Sequence, residues 1–166
     1  SLQLNDSYKP VTDGVAVCAE NYARWLHRWG TPTALAAPWS PEYEDRDEFP
    51  VFRYTSIPIP GWRPYRAGLP DIDPAFHVRL RHWLDHLSRI HEIGDLFEPP
   101  TEAAGLPVVI HAHAPFASGA LGRRLRHRLR RHGRRALLVA TLHSKYHEDF
   151  SRSLPEPIVE QVIRVV

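Results

Sequence analysis

The sequence predicts an α/β fold, a Rossmann-like parallel sheet flanked by helices. Three observations predict it. Short apolar runs recur at 33–37, 107–111 and 136–141. Stretches with apolar residues at three- and four-residue spacing, the signature of amphipathic helices, lie between them. Glycine, proline and polar residues mark the junctions. Buried strands alternating with helices imply a parallel sheet built through crossover connections.

The elements follow in order. Residues 2–5 read as the end of a first strand, and 6–14 as a loop. A helix is expected from about 15 to 29, with Val15, Cys18, Tyr22, Trp25, Leu26 and Trp29 as its apolar stripe. Gly30 sits where a left-handed helix-ending residue belongs. Thr33–Ala37 reads as a buried strand, 38–50 as an acidic loop, Val51–Ile59 as one strand, and 60–73 as a long loop rich in Pro and Gly. Asp73-Pro74 is a helix start, with an acid at the cap and proline in the first helical position. Phe76, Leu80, Trp83, Leu84, Leu87 and Ile90 mark that helix's buried face. A short helix is expected within 91–106. Pro107–His111 is a compact strand, because consecutive β-branched residues suit a strand buried on both faces. A helix from about Ser118 to His132 closes at Gly133, Ala136–Thr141 is another buried strand, and 155–166 reads as helical.

Composition narrows the class. A chain of 166 residues is long enough for one domain with a core. Its 43% hydrophobic and 24% charged content is that of a soluble globular protein. No apolar run is long enough to span a bilayer, and no secretory leader pattern is visible. A single cysteine, Cys18, excludes an internal disulfide and fits a reducing compartment, so a cytoplasmic location is expected. With no Met and Ser1 at its start, the chain reads as trimmed. The net charge of +2 is unevenly spread: five acids fall within 41–49, and eight arginines with no acid within 123–135.

In an open α/β sheet, ligands bind beyond the carboxyl ends of the strands. Three loops are expected there, and all three carry polar or special residues. In the first, Asp13-Gly14 opens onto a helix, where exposed amides favour anions such as phosphate. The full dinucleotide glycine fingerprint is absent, which argues against a nicotinamide or flavin enzyme. The second loop is His111-Ala112-His113-Ala114-Pro115-Phe116, followed by Ser118-Gly119. Residues two apart on a strand share a face, so both histidines enter one site if the strand continues; if the chain turns at 112, only His113 does. A neutral imidazole can hydrogen-bond a sugar hydroxyl, polarise a leaving group or bind metal. The third loop, 141–149, brings His143, Ser144 and Tyr146 together and suits a polyhydroxylated ligand.

The helix at 118–132 carries Arg123, Arg124, Arg128 and Arg131 among its arginines, with Leu121, Leu125 and Leu129 as a narrow apolar seam. Such a face can be solvated, can lie on an anionic membrane surface, or can grip nucleic-acid phosphates.

Taken in order, these motifs resemble glycosyltransferase family 4. Asp6-Ser7-Tyr8-Lys9-Pro10 with Asp13-Gly14-Val15 resembles that family's opening. His111-Ala112-His113-Ala114-Pro115-Phe116 with Gly119 resembles its central strand-loop motif, and Thr141-Leu142-His143-Ser144 with Tyr146 and Glu148 the next one. The subgroup most similar glycosylates diacylglycerol or phosphatidylinositol lipids. The resemblance implies that residues 1–166 are the N-terminal, acceptor-side half of a GT-B enzyme. The C-terminal domain, which would bind most of the nucleotide sugar, lies outside this chain, so the 166 residues alone are expected to be inactive. It implies a retaining transfer of a sugar from a nucleotide-sugar donor to an acceptor hydroxyl, with a membrane lipid as candidate acceptor and no metal or other cofactor. His113 would be the catalytic-site residue, at the transferred sugar. Gly14, with Asp13, would lie at the donor diphosphate. His111, Phe116, Ser118, His143, Ser144 and Tyr146 would line the acceptor or sugar pocket. Arg123, Arg124, Arg128 and Arg131 would be membrane-surface candidates, giving a peripheral location on the inner face of the membrane. Many relatives carry two adjacent glycines where this chain has Asp13-Gly14. The alternatives are a metal-dependent hydrolase using His111 and His113, and a non-enzymatic basic module binding nucleic acid. The nucleic-acid reading is less favoured because it leaves the three strand-end loops idle.

Overall fold

The computed structural model describes residues 1–95 and 107–143. Five strands form one parallel sheet: β1 (Leu2–Leu4), β2 (Ala34–Pro38), β3 (Val51–Tyr54), β6 (Val108–Ala112) and β7 (Ala136–Ala140). Their spatial order is β3-β2-β1-β6-β7. Counted within the sheet alone this is 3-2-1-4-5, so the winding direction reverses between β1 and β6. In open α/β sheets the ligand crevice lies at such a reversal, beyond the carboxyl ends of the strands.

Strand alternation sorts the side chains. Leu2, Leu4, Ala34, Ala36, Ile110 and Ala112 point to one face. There they meet Phe76, Leu80 and Leu84 of helix α2 (Pro74–Asp95) and Leu121, Leu125 and Leu129 of helix α3 (Ala117–Arg131). The residues in between face helix α1 (Gly14–Arg28), where Leu35, Ala37, Tyr8 and Phe49 pack with Ala19 and Ala23. Gln3 and His111, paired across β1 and β6, share this α1 face by alternation. The predicted caps are present: Asp73 accepts from the Phe76 amide, and Gly30 and Gly133 end their helices with φ of 79° and 75°.

Three expectations are corrected. The large apolar stripe of α1 is not its packing face: Tyr22, Trp25 and Trp29 are 46%, 54% and 75% exposed, while Ala16, Ala19 and Ala23 are buried. Small side chains let the helix lie close to the sheet, and the aromatics are left on its flank. The expected strand 51–59 is two strands, and the expected loop 60–73 contains a third. After Tyr54 the chain leaves the main sheet; β4 (Ser56–Pro58) pairs antiparallel with β5 (Arg66–Gly68), and a 3-10 turn (Pro70–Ile72) leads into α2. Third, β7 is the edge of the sheet among the described residues, with Leu137 and Val139 half exposed.

The acidic loop is folded back by cations. Lys9 pairs with Asp47 at 2.7 Å and Glu20 at 2.8 Å. Arg53 forks onto both oxygens of Asp45 and donates to the carbonyls of Pro38 and Lys9. The arginines of α3 are exposed, and Arg124 pairs with Asp71 at 2.8 Å. No helix among the described residues is long and apolar enough to cross a membrane. The short helix expected in 91–106 is described only to Asp95, where it continues α2; the helix expected at 155–166 lies outside the described residues.

Candidate functional site

β6 runs on through Ala112, so His111 and His113 emerge on the same face, as strand alternation requires. Their rings lie 4.0 Å apart. Tyr22 of α1 covers both, at 5.1 Å from His111 and 5.6 Å from His113. His143, just beyond β7, stacks on His113 at 5.4 Å with planes only 17° apart. Thus the second and third strand-end loops meet directly. α1 supplies a wall: Gly14, Cys18 and Tyr22 are spaced one helical turn apart and share one side of it.

The hydrogen bonds of His113 fix its tautomer. The Gln3 amide nitrogen donates to the Ser1 hydroxyl at 2.7 Å, so the amide oxygen faces inward. That oxygen lies 2.8 Å from Nε2 of His113, which must therefore carry the proton. Nδ1 is left as the lone pair, and it faces Nε2 of His143 at 3.1 Å. His113 is fully buried, and burial, reinforced by His111 and His143, pulls its pKa down to about 3. His111 is lowered by burial and then by His143; its Nε2 meets the Thr141 hydroxyl at 2.7 Å. His111 and His113 are therefore held neutral at physiological pH, as lone-pair donors and hydrogen-bond acceptors must be.

Asp6 closes the crevice from the β1 side. Its carboxylate takes the Ser118 amide at 2.8 Å and the Ser118 hydroxyl at 3.0 Å, at the N-terminus of α3. Burial raises its pKa to about 6 against those hydrogen bonds, which lower it. The Ser118 hydroxyl also reaches the Ala114 carbonyl at 2.8 Å, and the residue is fully buried. Ser118 therefore ties two loops together rather than presenting its hydroxyl to the surface. Asn5, fully buried at the end of β1, has an amide nitrogen with no partner among the described residues, while its oxygen holds the Asp6 amide. The Tyr54 hydroxyl donates to the Asn5 carbonyl at 2.9 Å and fixes this backbone from below.

At the first loop, Asp13 caps α1 through the Ala16 amide at 2.7 Å. Gly14 is exposed, and a Cβ there would meet nothing within 4 Å. The backbone is open to a ligand on that side, but Asp13 already holds one of the helix amides. Phe116 is half-buried at the start of α3. Ser144 and Tyr146 lie outside the described residues.

The structure thus brings together His111, His113 and His143, which sequence reading named, with Gln3, Asn5, Asp6, Cys18, Thr141 and Tyr22, to which it gave no such role. One signal was present: Gln3 and Asn5 interrupt an otherwise apolar first strand, a pattern that marks a polar site on one face. The grouping suited to metal also differs from the His111 and His113 pair of the alternative hydrolase reading. Ligand atoms of Cys18, His113 and His143 lie within 4.8 Å of one another. In comparisons with known proteins, no protein-family model, no curated protein and no solved structure matches the chain.

Proposed function

We propose that this chain is the N-terminal, acceptor-side half of a retaining GT-B glycosyltransferase acting on a nucleotide-sugar donor. The observation that carries the reading is the convergence of histidine-bearing loops at the winding reversal of a 3-2-1-4-5 parallel sheet. A crevice there is where an α/β fold takes its ligands. Its buried imidazoles offer hydrogen-bond acceptors, which suit sugar hydroxyl groups.

In this reading a sugar hydroxyl donates to Nδ1 of His113 in place of His143. Gln3 holds the ring, and the buried Asn5 amide offers a donor nearby. Gly14 lies at the donor diphosphate, with the α1 amides as anion ligands. His111, Phe116 and His143 lie on the acceptor side, and the Arg123, Arg124, Arg128 and Arg131 face of α3 docks on an anionic membrane carrying a lipid acceptor.

Two measurements test this. In an NMR titration with UDP-glucose and GDP-mannose, shifts are expected at Gly14, Ala16, His113 and His143. Shifts confined to other surfaces, or none at millimolar donor, overturn the assignment. Cosedimentation with phosphatidylglycerol vesicles, but not phosphatidylcholine vesicles, is expected and should fall in the Arg124→Glu, Arg128→Glu double variant. Unchanged binding of that variant removes the docking face from the proposal.

A further inference from the structure

We propose that Cys18, His113 and His143 form a three-ligand binding site for a borderline-soft divalent metal ion, of which zinc is the best fit. One ligand atom from each of the three residues lies within 4.8 Å of the others, and Nδ1 of His113 and Nε2 of His143 are 3.1 Å apart. Tetrahedral zinc, with bonds of about 2.0–2.1 Å to nitrogen and about 2.3 Å to sulfur, needs about 3.3 Å between two nitrogens and about 3.6 Å between nitrogen and sulfur. The nitrogens come close to that spacing as they stand, and the thiol needs to close at most about 1.2 Å.

The surroundings are those of a metal site. A histidine that binds metal through one nitrogen characteristically donates its other N–H to a carbonyl or carboxylate, which fixes the ring. Gln3 does this for His113: its oxygen accepts the Nε2 proton at 2.8 Å, and its own nitrogen is anchored on Ser1. The lone pair of Nδ1 is thereby left on the side of the ring that faces His143. Tyr22 and the His111 ring form a wall beside it, and His111 is held off by Thr141. Three elements contribute one ligand each: α1, the end of β6 and the end of β7. On binding, the Cys18 thiol and the Nε2 of His143 each present a lone pair; the thiol proton leaves to solvent, and the His143 proton moves to Nδ1. Three protein ligands leave a fourth position open for water or a substrate oxygen.

This site goes beyond the sugar-transfer reading and competes with it for one atom. Metal on Nδ1 of His113 removes the acceptor that a sugar hydroxyl would use. The two are therefore tested by different readouts.

The purified chain is titrated with cobalt(II) under reducing conditions and then with zinc. The expected result is a 1:1 complex with tetrahedral ligand-field bands and a near-ultraviolet thiolate-to-cobalt charge-transfer band, displaced by zinc. Cys18→Ser loses the charge-transfer band, His143→Ala loses stoichiometric binding, and Gln3→Ala weakens binding about 10–100-fold. The chain has 11 histidines. His132→Ala, at the exposed end of α3, therefore controls for surface binding and is expected to change nothing. Circular dichroism monitors folding, and Cys18→Ala and His143→Gln replace any variant that does not fold. Octahedral cobalt without the charge-transfer band, an unchanged spectrum in both Cys18 variants, or binding lost in His132→Ala overturns the site. Because metal and sugar would compete for Nδ1 of His113, the metal titration is run without donor.

Discussion

Nε2 of His113 lies 2.8 Å from Oε1 of Gln3, and this hydrogen bond decides which side of the ring is available. It joins the loop after β6 to the middle of β1 across the winding reversal. The partner is neutral, so the ring gains orientation without gaining a proton. Replacing the partner should expose both halves of that role. Gln3→Leu leaves a buried N–H unpaired and is expected to cost about 1–3 kcal/mol, measured by urea unfolding at neutral pH. Gln3→Glu keeps an acceptor but sets a carboxylate beside the imidazole. The His113 pKa should then climb from about 3 toward or above its ordinary 6.5, read from its ring protons by NMR. A His113 that still titrates near 3 in Gln3→Glu would show that Gln3 does not face it.

Asp6 gives a pH dependence whose sign can be worked out. Its folded pKa of about 6 lies above the ordinary 3.8, so the folded state holds this proton more tightly. Its contribution to stability is complete below pH 3.8 and is lost as pH rises through 6. His113 and His111 act oppositely: their pKa values are depressed by folding, so acidification below 6.5 destabilises through them. Comparing Asp6→Asn with its parent cancels the histidines. Asparagine still offers an oxygen to the Ser118 amide and has no proton to lose. Between pH 4 and pH 7 the stability difference should move in the variant's favour by about 1–3 kcal/mol. A difference that stays flat across that range would mean that Asp6 is not buried against α3.

Much of the fold was legible because it rests on local periodicity. Val108-Val109-Ile110, the Asp73-Pro74 helix start and the closing glycines each carry their signal within a few residues. So did the site's outline, since both histidines of the β6 loop had to share a face once the strand continued. What escaped reading depends on distance in sequence. The Gln3–His113 contact spans 110 residues, and Asp6–Ser118 spans 112. Cys18 read as a core position of α1, whereas it faces the histidines. The α1 face was misread for a different reason: hydrophobicity ranks Trp above Ala, but a helix lying close on a sheet needs small residues between them.

That correction predicts an inverted mutational pattern on α1. Trp29, at 75% exposed, should be replaceable by alanine within about 0.5 kcal/mol despite being one of the two tryptophans of the stripe. Ala23, fully buried among Leu35, Ala37 and Phe49, should not accept leucine. The added methylenes would push the helix off the sheet at a cost of about 1–3 kcal/mol. Thermal unfolding of the two variants decides between the faces, and a larger loss in Trp29→Ala than in Ala23→Leu would restore the original assignment.

The β4–β5 hairpin reaches the site through one ring. A Cβ on Gly68 would lie 2.4 Å from Cε2 of Tyr54, whose ring is fully buried against Phe76. The Tyr54 hydroxyl in turn holds the Asn5 carbonyl at the crevice. Gly68→Ala must displace that ring and is expected to cost about 1–3 kcal/mol. Tyr54→Phe removes only the hydroxyl bond, at about 0.5–1.5 kcal/mol, and keeps the packing. The two differ in what reaches the histidines. Displacing the ring should shift the backbone resonances of Asn5 and Asp6 and carry through Ser118 to the loop holding His113. Losing the hydroxyl alone should perturb Asn5 and its immediate neighbours. Equal stability losses with equally local shifts would mean that the hairpin packs on the sheet without steering the crevice.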